Sequence, residues 1–470
     1  MPINKYSEDS LTWHPDKTRL ARPIYKSLVK LLKEDISSGK LPKDTKLPSQ
    51  RELADFLDLN FTTVGQAYRY AIKKGLLYTN IGRGTYTSPN AYEASTISTN
   101  DIGEEIIDFG LVSSFDQCNS LIIPFIQSVA KKTDLIDLLN YRNPKGTPEQ
   151  LKTAARWLDT QGVIASTQNI AIVSGVQNGL AIVLAALFSP GDRIAVDRFT
   201  YSNFIELAHL YHLEIVPIDY DDQGMCTDKL ELECLKKKIH GIFLMPSCNN
   251  PMGFQVSFER RIQLSKIIKK EGLIVIEDDS FSFLTTYFQK DIIPPFQQLI
   301  PEQTIYLAGV TKYIGSGLRV AFLSYPPKLA KSLEKAIFNI NVKTSGLDAE
   351  IVNQVLQSST AQRLLEEKFK FTKRANEIFD EVFKEINPTR PSNYYPLFRT
   401  LPLKKNLIKD KQNKIEGYLL RRGIRVYHSK RFSTQTQPNS FIRISLSSNS
   451  LEDLKRGLEI IEKERIVHIS

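Results

Sequence analysis

The chain has 470 residues, of which 41% are hydrophobic and 24% are charged, a composition typical of a globular protein with more than one domain. No apolar run approaches the roughly 20 residues that cross a membrane, and the first residues lack the apolar core of a secretion signal. We therefore expect a cytoplasmic protein. The four cysteines form no CxxC pair and do not cluster with the six histidines, so we expect no metal site and no disulfide framework.

The excess positive charge is concentrated near the N-terminus. The net charge of the whole chain is +10, yet residues 1–90 alone hold 15 basic residues against 9 acidic ones. A small segment with most of the excess positive charge suits the phosphate backbone of DNA as a partner.

Three amphipathic helices are predicted in this basic segment. Residues 23–39 place apolar side chains at helical spacing. Ser49 lies three residues before Glu52, which is the capping-box pattern that starts a second helix. Asn60 is a suitable N-cap for a third helix. The free face of that helix carries side chains suited to phosphates and base edges, namely Thr62, Thr63, Gln66, Arg69 and Lys73.

A β-hairpin is predicted after the third helix. Two β-prone runs, residues 76–79 and 85–87, flank a glycine-rich turn that carries Arg83 and Gly84. Three helices and a hairpin form a winged helix-turn-helix, which we predict over residues 1–88, with Arg83 projecting towards a minor groove.

This segment resembles the GntR family of DNA-binding regulators through the motifs LPSQRELA, TTV, KGLL and GRGTY, which follow one another in this order. Phe61 stands where the family usually has an arginine, and Gly65 stands where another basic residue is common, so operator preference is expected to differ. A winged helix that serves only as a protein-interaction module is the alternative. The resemblance implies DNA contacts from Arg51, Thr62, Thr63, Arg83 and Gly84.

A second domain is predicted beyond a polar linker at residues 89–105, which is rich in Ser, Thr and Asn. From residue 106 to residue 470, short apolar runs alternate with helical patterns, as in a mostly parallel sheet covered by helices. The predicted strands are residues 170–173, 193–196, 215–218, 241–245, 273–277, 305–308 and 320–323.

This α/β domain carries the groups that pyridoxal 5′-phosphate (PLP) requires: a Schiff-base lysine, a carboxylate at the ring nitrogen, an anion site and an aromatic neighbour. Lys312 follows one predicted strand and Asp278 ends another, where α/β proteins bind ligands. Residues 174–178 join a strand to a helix, so the amides of Val176 and Gln177 are expected to point at a phosphate. Further candidates for the ring and the phosphate are Tyr201, Asn250, Thr311 and Arg319.

The motifs NPxG, EDD and the Lys…Arg pair, in this order, resemble fold-type I aminotransferases with a mixed central sheet and a small C-terminal α/β subdomain. The resemblance implies that Arg443 binds a carboxylate, with Arg431 as a weaker candidate, and that Tyr141 reaches into the partner's phosphate site in a homodimer. Phe281 stands near the usual tyrosine after the acidic pair, and Gly309 replaces the usual serine or threonine. Both departures lower the expected rate of turnover.

The fusion of the two domains resembles MocR/GabR-type transcriptional regulators over nearly the whole chain. That resemblance implies a head-to-tail homodimer that binds operator DNA, carries PLP and responds to a small amino acid or amine. Two alternatives stay open. One is a working aminotransferase with an appended regulatory DNA-binding domain, and the other is a regulator that senses through an empty pocket without PLP.

Overall fold

The computed structural model describes residues 11–37, 40–42, 45–73, 76–80, 84–88, 106–288, 292–384, 394–404, 415–434 and 440–467. Contacts divide the chain into an N-terminal unit, Met1–Ser95, and a C-terminal unit, Thr96–Ser470. The predicted linker, residues 89–105, lies outside the described residues, so its two boundaries stay predictions.

The N-terminal unit contains the three predicted helices. The Ser49 hydroxyl accepts the Glu52 amide at 3.2 Å, and the Glu52 carboxylate accepts the Ser49 amide at 2.7 Å, which confirms the predicted capping box. The side-chain oxygen of Asn60 accepts the Thr62 amide at 2.9 Å, so the third helix also begins as predicted. The helices are α1 (Ile24–Ser37), α2 (Gln50–Leu57) and α3 (Phe61–Lys73), preceded by a 3-10 turn at Lys17–Arg19.

The predicted hairpin is also confirmed. Strand β1 (Leu77–Asn80) pairs antiparallel with strand β2 (Gly84–Thr87). The turn between them, including Arg83, lies outside the described residues. The unit has its own apolar core, whose buried members include Trp13, Leu28, Ile36, Leu53, Leu57, Val64, Tyr68 and Leu77.

A seven-stranded sheet organises the C-terminal unit. The strands of this unit are β3 (Ile107–Asp108), β4 (Ile170–Val173), β5 (Arg193–Asp197), β6 (Glu214–Ile218), β7 (Tyr220–Asp221), β8 (Gly224–Met225), β9 (Gly241–Leu244), β10 (Ile274–Asp278), β11 (Thr304–Gly309), β12 (Ala321–Ser324), β13 (Phe398–Pro402), β14 (Ile424–Arg425), β15 (Tyr427–His428) and β16 (Phe441–Ser445). The sheet has the order β4-β12-β11-β10-β9-β5-β6. Strand β12 is antiparallel to both neighbours and the other pairs are parallel, which confirms the predicted mixed, mostly parallel sheet.

Helices cover this sheet, and apolar side chains of both fill its core. They are α4 (Ile123–Ala130), α5 (Leu135–Leu138), α6 (Pro148–Asp159), α7 (Val176–Leu187), α8 (Ser202–Leu210), α9 (Thr227–Lys236), α10 (Phe258–Glu271), α11 (Ser282–Phe288), α12 (Phe296–Leu299), α13 (Ala330–Asn341), α14 (Gly346–Gln357), α15 (Ser359–Val382), α16 (Ile415–Leu420) and α17 (Leu451–Lys463). Short 3-10 turns lie at Asp116–Ile122, Thr167–Asn169, Ser316–Leu318, Pro327–Leu329 and Ser429–Phe432.

A second, smaller core forms the predicted C-terminal subdomain. Strands β13, β16 and β15 make an antiparallel sheet, and β14 pairs in parallel with β3. Helix α15 contributes Leu364 to the core of the large sheet, and Ala375 and Phe379 to the smaller core. This one helix therefore joins the two cores.

The topology brings four strand ends to one edge of the large sheet. Strand β10 ends at Asp278, β11 ends three residues before Lys312, and β4 ends just before the loop at residues 174–178. Strand β5 ends four residues before Tyr201. These strands run in the same direction, so their carboxyl ends form the crevice in which open α/β sheets bind ligands.

No helix in the described ranges is long and apolar enough to cross a membrane.

The close approach of α7 to β11 gives a test of the packing. A Cβ atom on Gly179 would lie 2.4 Å from Leu307 Cδ2 and 3.2 Å from Val173 Cγ2. We expect Gly179→Ala to lower the free energy of unfolding by about 1–3 kcal/mol, because the core cannot absorb an extra methyl group without shifting. Gly417→Ala is the matched control, since its nearest atom would be Arg421 Nη1 at 3.8 Å. Denaturant unfolding of both variants checks this, and equal stability of the two would contradict it.

Candidate functional site

Lys312 lies in the turn that follows β11, and its side chain is half-buried. Its ammonium group donates to the carbonyl of Val112. Burial, together with repulsion from Arg319 and Arg443, lowers the pKa of Lys312 to about 8, although Asp116 opposes these effects. An amine with a depressed pKa has a larger unprotonated fraction near neutral pH, which is the form that attacks a carbonyl carbon.

Asp278 is the last residue of β10, and its carboxyl group is buried. The Ser280 amide donates to it at 3.2 Å, and the Ser280 hydroxyl donates to the same oxygen. Among the described residues, no basic side chain forms an ion pair with Asp278. Burial therefore raises its pKa to about 7, although the Ser280 hydrogen bonds oppose this. A buried carboxyl group without a cation partner is suited to bind a protonated ring nitrogen.

The two neighbouring acids have other partners. The Glu277 carboxylate accepts the amides of Phe296 and Gln297, each at 2.9 Å, at the start of α12. The Asp279 carboxylate accepts the hydroxyl of Tyr306 at 3.2 Å. Side chains alternate along a strand, so Asp278 points to the opposite side of the sheet from Glu277. Glu277 and Asp279 are thus held by other groups of the fold, which leaves Asp278 as the candidate for a ligand.

The loop at residues 174–178 and Arg319 are distant in the sequence but adjacent in the fold. Gly175 is the N-cap of α7 and has a positive φ of 83°. A Cβ atom there would lie 2.7 Å from Arg319 Nη2, so only glycine lets the guanidinium approach the helix N-terminus this closely. The amides of Val176 and Gln177, at the start of α7, thus lie beside a cation, an arrangement that is suited to bind an anion. Thr311 is buried beside Lys312.

Tyr201 is the N-cap of α8, and its ring is half-buried. Burial raises the pKa of its phenol to about 12, and the nearby Asp278 carboxylate adds to the increase while Arg319 and Arg443 oppose it. The Tyr201 phenol thus lies within electrostatic range of Asp278, Arg319 and Arg443, and its stacking on a cofactor ring stays a prediction.

Arg443 is fully buried in β16, and its partners are uncharged. One amino group donates to the side-chain oxygen of Asn250 at 2.9 Å, and the other donates to the carbonyl of Gly110. Its Nε atom has no hydrogen-bond partner among the described residues. Burial lowers its pKa to about 10. By contrast, Arg431 forms an ion pair with Glu416 at 2.7 Å, so Arg443 is the better candidate for a carboxylate.

The surroundings of Phe281 and Gly309 accommodate the two departures from the aminotransferase pattern. Phe281 is buried and packs edge-to-face against Phe398, with ring centroids 5.5 Å apart. At Gly309, a Cβ atom would lie 3.0 Å from Ser280 Oγ and 3.0 Å from Val176 Cγ2. The space for a side chain at this position is therefore largely taken by Ser280, whose hydroxyl binds Asp278 instead.

Sequence reasoning missed several residues of this site. Ser280 had one usable signal, because a serine two residues after an aspartate often hydrogen-bonds back to it. Asn249 donates to the buried Asp197 carboxylate at 2.9 Å, next to the predicted Asn250. Gly110 and Val112, which bind Arg443 and Lys312 through their carbonyls, carry no local signal, since any residue type supplies a carbonyl.

This set of groups fits PLP. Lys312 supplies an amine, and Asp278 supplies a buried carboxyl group without a cation partner. Arg319 and the α7 amides supply an anion site, and Tyr201 supplies an aromatic ring. Tyr141 does not join this group within the chain, because its side chain is 83% exposed.

The candidate DNA-contacting residues lie on the surface of the N-terminal unit. Arg51, Gln66 and Arg69 are exposed and Thr63 is half-exposed, whereas the Thr62 hydroxyl bonds to Asn60 at 2.8 Å. Gly84 opens β2 with a positive φ of 122°. The predicted contact by Arg83 lies outside the described residues.

Phe61 and Gly65, the two departures from the GntR pattern, each lie next to a side chain of α2. The Arg51 guanidinium lies 5.9 Å from the centre of the Phe61 ring. A Cβ atom on Gly65 would lie 3.0 Å from Gln50 Oε1. Phe61 thus supports one predicted DNA contact, and Gln50 occupies the space beside Gly65 that a larger side chain would need.

Comparison with known proteins identifies both domains. Residues 114–461 match the family described as aminotransferase class I and II, and residues 24–87 match the bacterial regulatory proteins of the gntR family. The uncharacterized HTH-type transcriptional regulator YdeF of Bacillus subtilis is 30% identical over 98% of this chain and 99% of its own length. The vitamin B6 salvage pathway transcriptional repressor PtsJ of Salmonella typhimurium is 26% identical over 62% of this chain and 65% of its own.

Solved structures agree on the fold of the C-terminal unit. An archaeal alanine:glyoxylate aminotransferase superposes with a TM-score of 0.70 at 22% identity, over 77% of this chain and 92% of its own. The α-aminoadipate aminotransferase LysN from Thermus thermophilus superposes with a TM-score of 0.69 at 20% identity, over 77% and 92%. As the resemblance to MocR/GabR-type regulators predicted, the chain belongs to the family of HTH-type transcriptional regulators that join a gntR-family DNA-binding domain to a class I and II aminotransferase domain, whose cofactor is PLP.

Proposed function

We propose that this regulator binds its operator as a head-to-tail homodimer in the cytoplasm and that a small amino acid, bound at the PLP site, changes its affinity for that operator. The observation that carries the proposal is that Lys312, Asp278 and Arg443 are each buried or half-buried and have no ion-pair partner among the described residues, with Lys312 and Asp278 at the crevice formed by the strand ends.

Each residue of the cleft has a defined task in this proposal. When bound, PLP supplies an aldehyde carbon that an amine can join and a ring that withdraws electrons. Asp278 would accept a hydrogen bond from the ring nitrogen and keep it protonated, while Ser280 orients the Asp278 carboxyl group. Arg319 and the α7 amides would hold the phosphate, and Tyr201 would supply an aromatic neighbour for the ring.

Arg443 favours an effector that has a carboxylate as well as an amine. A guanidinium binds a carboxylate through two parallel hydrogen bonds, which are stronger than its bonds to the neutral oxygens of Asn250 and Gly110. A carboxylate also offsets the cost of burying the guanidinium without an opposite charge. An amine that lacks a carboxylate leaves that cost in place, so we expect amino acids to bind more tightly than simple amines.

The homodimer is supported by five exposed apolar side chains within the short segment from residue 123 to residue 141. Exposed apolar groups concentrated in one region of the surface usually mark an area covered by a partner. In this proposal Tyr141 contributes to the phosphate site of the other subunit. The five exposed side chains are Ile123, Ile126, Ile136, Leu139 and Tyr141.

The same residues are compatible with slow transamination, which is the second candidate function. Lys312 and Asp278 are the groups that amine chemistry with PLP requires. Phe281, however, has no hydroxyl group to donate to the cofactor, and this favours a ligand-binding role over rapid turnover. Product formation at rates near those of ordinary aminotransferases would instead support the enzyme.

Removing the Lys312 amine tests the sensing function. We expect wild-type protein supplied with PLP to show the visible absorbance band of the bound cofactor and Lys312→Ala to lack it. Amino acids should change the operator affinity of the wild type by about tenfold and leave that of the variant unchanged, because the coupling passes through the amine site. Operator DNA is selected from random sequences and affinity is measured by fluorescence anisotropy.

The control for this test is Lys331→Ala, which removes an exposed lysine of α13. It should retain both the absorbance band and the response. If Lys312→Ala keeps the band and the response to amino acids, Lys312 is not the sensing residue.

Removing Arg51 tests the DNA-binding surface. We expect Arg51→Ala to weaken operator binding by about 1–3 kcal/mol and to relax sequence preference, because an arginine at the start of a recognition surface reads base edges or fixes the docking. Lys30→Ala removes one exposed charge from α1 and should weaken binding less, without a change in preference. An Arg51→Ala variant with the parent's affinity and footprint would mean that α2 does not face the DNA.

A further inference from the structure

A second buried lysine lies next to the loop that carries Lys312. Lys368, in α15, is 1% exposed. Its ammonium group donates to the carbonyl of Lys312 at 3.2 Å and to the carbonyl of Ile314 at 3.4 Å. Among the described residues, no carboxylate lies within ion-pair distance of it. A buried cation held by peptide carbonyls is uncommon in a protein interior, because its burial is usually compensated by an opposite charge.

The pKa of Lys368 depends on its burial and on the charges near it, including that of Lys312. Burial lowers the pKa of Lys368 to about 8, and the positive charge of Lys312 also lowers it, while Cys118 and Asp116 oppose these effects. Burial raises the pKa of the Cys118 thiol, so this thiol is neutral near pH 7 and does not neutralise the lysine. The charged and titratable groups around the two lysines are Asp116, Cys118, Arg319, Glu367 and Arg443.

The position of Lys368 in α15 connects the Lys312 loop to both apolar cores. Within this helix, Leu364 packs in the core of the large sheet and Ala375 packs in the smaller core, so Lys368 lies between the two packing regions. Its hydrogen bonds join the backbone of the Lys312 loop to the helix that links both cores.

We propose that Lys368 is a positioning residue for Lys312: it fixes the loop through the carbonyls of Lys312 and Ile314, and it places a positive charge 3.2 Å from the Lys312 carbonyl. A cation at this position is expected to disfavour protonation of the Lys312 nitrogen. The absorbance test of this role rests on the proposed binding of PLP by Lys312. The hydrogen-exchange test uses the protein without PLP and does not depend on that binding.

Lys368→Met removes the charge and the donor and keeps the length of the side chain. We expect the pH midpoint of the visible absorbance change of the bound cofactor to rise by about half a unit or more, because loss of a nearby cation favours the protonated form. Lys368→Arg keeps a cation and should have a midpoint close to that of the wild type. Lys370→Met is the matched control, since it removes an exposed lysine from the same helix, and its midpoint should not move.

A second measurement uses the same variants without PLP. Hydrogen exchange of the amides in residues 312–318 should become about tenfold faster in Lys368→Met than in Lys370→Met, because the loop loses its two anchoring bonds. Where Lys368→Met does not fold, Lys368→Gln has the same predicted rise in the pH midpoint.

An unchanged midpoint together with unchanged exchange would overturn the proposal, as would an equal midpoint shift in Lys370→Met. A wild type that never binds PLP contradicts the proposed function instead, and the exchange experiment then decides the role of Lys368.

Discussion

The chemistry of the cleft depends on charged groups that are buried beside neutral partners instead of opposite charges. Asp278 is held by Ser280, Arg443 by Asn250 and a carbonyl, and Lys312 by another carbonyl. Burying a charge costs several kcal/mol unless an opposite charge or several hydrogen bonds offset it. A ligand with a protonated ring nitrogen, a reactive carbonyl carbon and a carboxylate supplies what each group lacks. Binding of such a ligand therefore offsets the cost of burying these three groups.

The same constraint explains how an aminotransferase fold can serve as a sensor. Regulation requires only that the effector bind one conformation of the protein more tightly than another. The carbonyls of Gly110 and Val112 bind Arg443 and Lys312, so an amino acid that engages these two side chains competes with one backbone segment. Under the proposed function, this competition would link effector binding to a conformational change of that segment without any need for rapid turnover. Phe281 and Gly309 are acceptable in a protein selected for that task.

Much of this account could be predicted from the sequence because the signals are local. The capping box at Ser49 and the strand that runs into Asp278 depend on neighbouring residues, and both were predicted correctly. The contacts that sequence reasoning missed join distant segments through common residue types, as when Lys368 binds the carbonyl of Lys312 or Gln50 fills the space beside Gly65. One sequence has no pattern that reveals such pairs, because a carbonyl or an amide group is present everywhere.

The central claim is that one amine of this chain, that of Lys312, carries PLP. The most direct measurement is borohydride reduction of the PLP-treated full-length protein, followed by mass spectrometry of its peptides. This account predicts one cofactor per chain, attached to the peptide that contains Lys312 and not to the peptide that contains Lys368. Absence of any attached cofactor, or attachment mainly at another lysine, would contradict the account.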